Sequence, residues 1–222
     1  MNKMESLPPL SPELREQRDL LMSKLSNQGT SADTIRAMTQ VRRDLLASDE
    51  PRAQAYDDTS LRLSAGQTIS QPTIVAVMTD ALELNSSSRV LDVGTGSGYQ
   101  AAIAACIAAS VVTVERIDSL RIQAEKNLRV MGFTNITFLE AGESLGAPER
   151  APFDAIIVAA AAPTLPDSLV SHLALGGNLV IPIGDRRRQK LTKVHRTKSG
   201  IELIDLGPCR FVPLIGKGAW DA

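Results

Sequence analysis

Eleven consecutive residues, Val90-Leu91-Asp92-Val93-Gly94-Thr95-Gly96-Ser97-Gly98-Tyr99-Gln100, have the types and spacing best suited to holding a ligand. The first four are apolar apart from one acid, which fits a buried strand of a parallel sheet. Gly94, Gly96 and Gly98 leave the following turn without Cβ atoms, so a ligand can approach the backbone. Ala101 to Ala109 is small and helix-forming. Strand, glycine turn and helix N-terminus together make a nucleotide-type binding site. The dinucleotide fingerprint asks for glycine or alanine where Tyr99 stands, so the spacing here is GxGxG, preceded by Asp92. A second apolar run, Val111-Val112-Thr113-Val114, ends in Glu115, an acid able to accept both hydroxyls of a ribose.

A second stretch, Gly66-Gln67-Thr68-Ile69-Ser70-Gln71-Pro72-Thr73, places two hydroxyls where a helix begins. Ser70 before Gln71-Pro72 reads as its N-cap. Ile74, Met78 and Leu82 then recur at helical spacing, with Val75 and Val77 beside them. Backbone N–H groups at a helix start bind anions, carboxylates included. On the residues alone, simple capping is the more economical reading.

Both stretches need elements to position them. The patterns predict strands at 89–93, 110–115, 135–139, 153–160 and 178–183, with a final pair near 190–195 and 209–214. They predict helices at 99–109, 119–130 and 165–174. Ser11-Pro12-Glu13 starts an earlier helix that stops at Gly29, and another begins near Ser31 with Ile35, Met38, Val41 and Leu45 along one side. Residues 1–10 are expected to fray, and 48–66 to form a loop. Alternating strands and helices imply an α/β fold, a doubly wound parallel sheet with helices on both faces.

The chain has 222 residues, 43% of them hydrophobic, enough for one domain with a substantial core. Its 24 basic and 25 acidic residues nearly cancel, so no general attraction to nucleic acid or an anionic membrane is implied. No stretch approaches the roughly 20 apolar residues of a membrane span. The first residues hold no signal-peptide core, and Cys106 and Cys209 read as reduced thiols, so a cytoplasmic location is expected. Two histidines, His172 and His195, make a histidine metal cluster improbable and read as surface or packing residues. Arg186-Arg187-Arg188-Gln189-Lys190 reads first as an exposed hairpin turn and second as a site for an acidic partner.

Residues 66–75, GQTISQPTIV, resemble the substrate motif of protein-L-isoaspartate (D-aspartate) O-methyltransferases. The likeness continues in register over roughly residues 30–216. Val90 to Ala101 looks like the family's cofactor motif, Val114-Glu115-Arg116-Ile117 like its ribose-binding strand end, and Ala151 to Val158 like its fourth strand. Arg210-Phe211-Val212-Pro213-Leu214-Ile215 looks like its C-terminal strand. The resemblance implies a class I, Rossmann-like methyltransferase with a seven-stranded, mostly parallel sheet and an antiparallel terminal strand. It implies one domain over 1–222, with 1–65 a helical extension and loop and 66–222 the cofactor-binding core.

The implied reaction moves a methyl group from S-adenosyl-L-methionine to the carboxylate of an isoaspartyl (or D-aspartyl) residue in a damaged protein or peptide. The ester then collapses to a succinimide, allowing return to aspartate. A carboxylate with a pKa of about 4 is already the nucleophile at neutral pH, so no general base is needed. The task is orientation, which suits Ser70 as the catalytic hydroxyl. Thr68, Ile69, Ser70, Val212 and Pro213 would bind substrate. Gln67, Asp92, Gly94, Thr95, Gly96, Ser97, Gly98, Tyr99, Gln100, Glu115, Arg116, Gly142 and Glu143 would bind the cofactor, with Asp92 near its positively charged methionine end. No metal is expected, and a monomer is.

The chain departs from the family pattern in three places. Gly142 replaces the aspartate of the turn after the third strand, with Glu143 one place later. Arg62-Leu63-Ser64-Ala65 and Thr73 also differ. The changes at 62–65 and Thr73 would suit a same-fold enzyme esterifying a different carboxylate, such as an aspartate in a dedicated peptide, and the missing aspartate at position 142 a non-catalytic S-adenosylmethionine-binding protein.

Overall fold

The computed structural model describes residues 7–47 and 52–221. Ser11 caps α1 (Pro12–Asn27), its Oγ accepting from the Leu14 amide at 3.3 Å. Ser31 caps α2 (Ala32–Gln40) in the same way through the Thr34 amide. The fraying expected of residues 1–10 is not found over 7–10. The Pro8 carbonyl accepts from the Arg42 guanidinium at 2.7 Å, and Leu10 packs on the core. Residues 1–6 lie outside the described residues.

α3 (Pro72–Ala81) is pinned to α2 by one carboxylate. Asp80 accepts from the Ser31 amide at 2.9 Å, the Ser31 hydroxyl at 2.6 Å and the Thr34 hydroxyl at 2.5 Å. Ser70 does not cap α3. The cap position is Gln71, and it makes no side-chain capping bond. Just before α3, β1 (Leu61–Arg62) and β2 (Thr68–Ile69) form a short antiparallel ladder, so the expected loop at 48–66 carries structure of its own. Residues 48–51 of that loop lie outside the described residues.

The main sheet has seven strands: β3 (Arg89–Val93), β4 (Ser110–Glu115), β5 (Ile136–Glu140), β6 (Phe153–Val158), β7 (Leu173–Gly184), β8 (Gln189–Thr197) and β9 (Gly200–Cys209). Their spatial order is β5-β4-β3-β6-β7-β8-β9. The first five run parallel, and β8 and β9 are antiparallel additions. α4 (Tyr99–Ile107), α5 (Asp118–Val130) and α6 (Asp167–His172) are the helices of the core. Side-chain alternation explains why the strands read as unbroken apolar runs. Val90, Ala155, Ile157 and Val180 enter one core layer with α4 and the N-terminal helices. Leu91, Val93, Ile156, Val158, Leu179 and Ile181 enter the other layer. The fold is therefore a doubly wound α/β fold, its parallel sheet extended at one edge by two antiparallel strands.

Two expectations at the C-terminal end are corrected. The last strand is 200–209, not 209–214. β9 is an edge strand, exposed from Gly200 to Asp205, and its mixed composition there hides it from a hydrophobicity pattern. The more apolar run Phe211–Ile215 instead forms a strap across the carboxyl ends of the strands. The Ala161 amide donates to the Val212 carbonyl and the Leu214 amide to the Ala161 carbonyl, both at 2.8 Å. The helix expected at 165–174 covers only Asp167–His172, because Leu173 already starts β7.

Asp80→Ala removes an acceptor of three bonds between α2 and α3. It should lower stability by about 1–3 kcal/mol, read as a lower urea midpoint with an unchanged m-value. An unchanged midpoint would show that the carboxylate contributes nothing.

Candidate functional site

The turns that follow β3, β4, β5 and β6 all open at one end of the sheet. With residues 67–70 and the 211–215 strap they border one cleft. Gln67, Thr68, Ile69, Ser70, Gly94, Thr95, Gly96, Ser97, Tyr99, Gln100, Glu115, Arg116, Gly142, Val212 and Pro213 all line it. Three expected residues do not: Asp92, Gly98 and Glu143.

The glycine turn is held from the neighbouring strand. The Gly94 amide donates to the Val114 carbonyl at 2.9 Å, and the Gly96 amide to Glu115 Oε2 at 2.9 Å. Glu115 Oε1 accepts from the Ile117 amide at 3.0 Å. Each carboxylate oxygen keeps a further lone pair, so Glu115 is oriented and can still accept. Gly98 serves packing. A Cβ there would lie 2.9 Å from Leu128 Cδ1 and 3.3 Å from Ala124 Cβ, both on α5, and its φ is 84°. Glycine at this point lets the turn and α5 meet closely.

Asp92 lies under the floor of the cleft. Strand alternation sends its side chain to the Val90 face, where it is fully buried. Its Oδ2 accepts from the Thr113 hydroxyl at 2.6 Å, and Thr113 Oγ1 lies 2.6 Å from Thr95 Oγ1. Thr113 spends its one proton on Asp92, so Thr95 donates to Thr113 and shows the cleft only lone pairs. Asp92 Oδ1 has no partner among the described residues. Burial pushes the carboxyl up to about 7; the Thr113 bond opposes this and the nearby Glu115 charge adds to it.

At the other side, Thr68 is exposed, Ile69 is buried and Ser70 is half-buried. The anion site expected at the start of α3 is already filled. Asp58 accepts from the Thr73 amide at 3.0 Å and the Thr73 hydroxyl at 2.7 Å, and Lys24 pairs with it at 2.7 Å. Ser70 Oγ has no hydrogen-bond partner among the described residues, which leaves it free to serve a ligand. Glu143 is exposed and outside the lining, and Ser144 follows Gly142 in the cleft wall instead.

Arg43 belongs to the site's support although no motif contains it. It is fully buried, its guanidinium stacks over the Tyr99 ring at 4.8 Å, and it donates to the carbonyls of Ala55 (2.8 Å) and Thr59 (3.2 Å). It thereby ties the 52–59 segment to a cleft residue. Nothing local in Val41-Arg42-Arg43-Asp44 announces this, because these partners are at least 12 residues away. Phe211, Leu214 and Ile215 of the strap also form wall, where the sequence pattern predicts a strand. His172 packs under Gly146 and His195 bonds Asn178 Oδ1 at 2.8 Å, so both are packing residues. Among the described residues no group of three or more His, Cys, Asp or Glu side chains could hold a metal ion.

Comparison with known proteins places this geometry. A family model described as protein-L-isoaspartate(D-aspartate) O-methyltransferase matches residues 16–219. The chain is 42% identical to the protein-L-isoaspartate O-methyltransferase of Methanoculleus marisnigri, over 93% of this chain and 94% of that protein. It is 44% identical to protein-L-isoaspartate O-methyltransferase 1 of Pelobacter propionicus, over 93% and 98%. Among solved structures it is similar to a protein-L-isoaspartate O-methyltransferase with TM-score 0.82 at 25% identity, over 91% of this chain and 67% of that one. It is also similar to a Plasmodium falciparum beta-aspartate methyltransferase in complex with S-adenosyl-L-homocysteine, with TM-score 0.75 at 28% identity, over 88% and 96%.

The raised Asp92 pKa has a thermodynamic consequence. The folded chain keeps a proton that the unfolded chain releases near 3.8. That contribution to stability is complete below about 3.8, shrinks as pH rises and is gone above about 7. The amide introduced by Asp92→Asn cannot titrate. The stability of the wild type relative to this variant should therefore fall by roughly 4 kcal/mol across that window, at about 1.4 kcal/mol per pKa unit, and stay level above it. Denaturant midpoints that run parallel in the two proteins from pH 4 to 8 would contradict the assignment.

Proposed function

The chain belongs to the protein-L-isoaspartate (D-aspartate) O-methyltransferase family, and from that membership we propose how its own residues carry the reaction. The protein methylates the carboxylate of isoaspartyl residues in damaged proteins or peptides, the step that opens their repair. S-adenosylmethionine supplies a methyl group on a positively charged sulfur whose departure leaves a neutral thioether.

The residues present fit that group. The turn with glycine at 94 and 96 lines the cleft, and Asp92, with one unpartnered carboxylate oxygen, lies buried beneath it. Glu115 would take the ribose hydroxyls with its remaining lone pairs. Thr95, held as an acceptor by Thr113 and Asp92, would favour the cationic methionine end, so Asp92 acts through Thr95 and not by direct contact. Gly142 and Ser144 would border the base.

Ser70 carries the substrate assignment. Its unpartnered hydroxyl lies in the same cleft as the Glu115-bound glycine turn. It would donate to one oxygen of the isoaspartyl carboxylate and orient the other toward the methyl carbon. The carboxylate is ionised at neutral pH and needs no base. The strap from Phe211 to Ile215 would wall the reacting atoms from water, leaving proximity and alignment as the main source of rate.

We also read the chain as one domain, because Leu21, Leu25 and Met38 of the N-terminal helices share a core with Val90, Ile157 and Val180 of the sheet. The near-balanced charge supports a protein without nucleic-acid partners. Free Cys106 and Cys209 support a reducing, cytoplasmic compartment. No described helix is long and apolar enough to cross a membrane. A monomer completes the reading.

Ser70→Ala should lower kcat/KM for an isoaspartyl peptide by about 10-fold or more, the worth of a hydrogen bond to a charged group. The Kd for S-adenosylmethionine should not change. Labelled methyl transfer and calorimetry read the two quantities, and an unchanged kcat/KM would remove Ser70 from the mechanism.

A further inference from the structure

The hairpin between β7 and β8 carries Arg186-Arg187-Arg188, and neither the fold nor the proposed reaction accounts for three adjacent exposed cations. β7 runs parallel to β6, so its carboxyl end, Gly184, stands at the same end of the sheet as the cleft. The turn itself is rigidly made. A Cβ at Gly184 would meet the Arg188 carbonyl at 2.1 Å, and Asp185 Oδ1 accepts from the amides of Arg187 (2.6 Å) and Arg188 (2.8 Å). Asp185 is thus engaged with backbone amides.

This hairpin also grips the strap. Gln189, next to Arg188, donates to the Phe211 carbonyl at 3.1 Å and accepts from the Phe211 amide at 2.6 Å. The Arg186 guanidinium lies over the Trp220 ring at 5.3 Å, and Trp220 Nε1 donates to the Ala161 carbonyl at 3.1 Å. Phe211 lines the cleft, as does Ile215, which bridges Trp220. Two more exposed cations, Arg210 and Lys217, flank the strap. Among the described residues none of these five cations forms a salt bridge. A chain with net charge −1 therefore keeps a local excess of positive charge beside the substrate wall of its cleft.

We propose that the basic rim formed by Arg186, Arg187, Arg188, Arg210 and Lys217 binds acidic residues flanking the isoaspartyl residue of the substrate, and so makes this enzyme selective for acidic peptides. The inference rests on the methyltransferase reading of the cleft and adds a sequence preference to it. The occupant is a peptide, since the rim stands at the cleft's end of the sheet and grips the strap whose Phe211 lines the cleft that a peptide carboxylate must reach. Exposed guanidinium groups that face ionised carboxylates act mainly on encounter and on KM, and salt screens them.

The test uses three isoaspartyl peptides that differ only in flanking residues: acidic, neutral and basic. Wild-type enzyme at low salt should show a KM for the acidic peptide several-fold below that for the neutral one, with the basic peptide weakest and kcat similar throughout. The preference should fade at about 0.5 M salt, where the Debye length is a few Å. The double variant Arg187→Gln/Arg188→Gln leaves Arg186 on its tryptophan. It should lose most of the acidic preference while keeping wild-type kcat/KM on the neutral peptide. Equal KM values for the three peptides with wild-type enzyme would overturn the proposal and leave the methyltransferase reading intact. A preference that survives the double variant would also overturn it. If a single-stranded oligonucleotide inhibits while no acidic-peptide preference exists, the rim serves nucleic acid and the proposal fails. Absence of transfer to every isoaspartyl peptide would overturn the methyltransferase reading and this inference with it.

Discussion

The carboxylate of Glu115 holds the site together. It sits where β4 ends and takes the Gly96 amide on one oxygen and the Ile117 amide on the other. Two adjacent parallel strands are thereby fixed relative to each other at the point where their turns diverge. The glycine turn can then stay open, because its amide is satisfied by a side chain and not by a tighter backbone fold. A carboxylate that accepts two backbone bonds, lines the cleft and keeps further lone pairs is a brace and, in the proposed reading, also a binding group. In doubly wound sheets ligands settle at the carboxyl ends of the strands, and here this brace shapes the place.

Around it, the polar side chains divide by exposure. Asp92 is buried and reaches the cleft only through Thr113 and Thr95, so its influence is the orientation it imposes on a hydroxyl. Burying a carboxyl with one unpartnered oxygen is costly, and the raised pKa expresses that cost. Asp58 fills the start of α3, which leaves Ser70 unengaged and free for substrate. Arg43 stacks on Tyr99 from behind and carries the 52–59 segment with it. Removing water from these groups strengthens each interaction they make.

Much of this is legible in the sequence where local rules govern. The glycine turn, the acid ending β4 and the five parallel strands follow from turn chemistry and from unbroken apolar runs. The 66–70 stretch stands out through its likeness to a family motif, and it does line the cleft. What the sequence hides has one physical origin, namely contacts between distant residues. The burial of Asp92 depends on which face of β3 is covered. Ser70 reads as a cap because its true competitor, Asp58, arrives from outside the helix. β9 escapes the pattern and Phe211–Ile215 mimics a strand because an edge strand needs no apolar run, whereas a strap over a cleft does. Glu143 reads as a substitute for the missing aspartate, but the turn's path puts Ser144 in the wall instead. Arg43 has no sequence signal at all.

The most direct measurement is methyl transfer from labelled S-adenosylmethionine to one peptide in two forms, with isoaspartate and with ordinary aspartate at the same position. The cleft described here should give transfer to the isoaspartyl form and essentially none to the aspartyl form. Equal labelling of the two, or labelling of neither by a protein that binds the cofactor, would contradict the account.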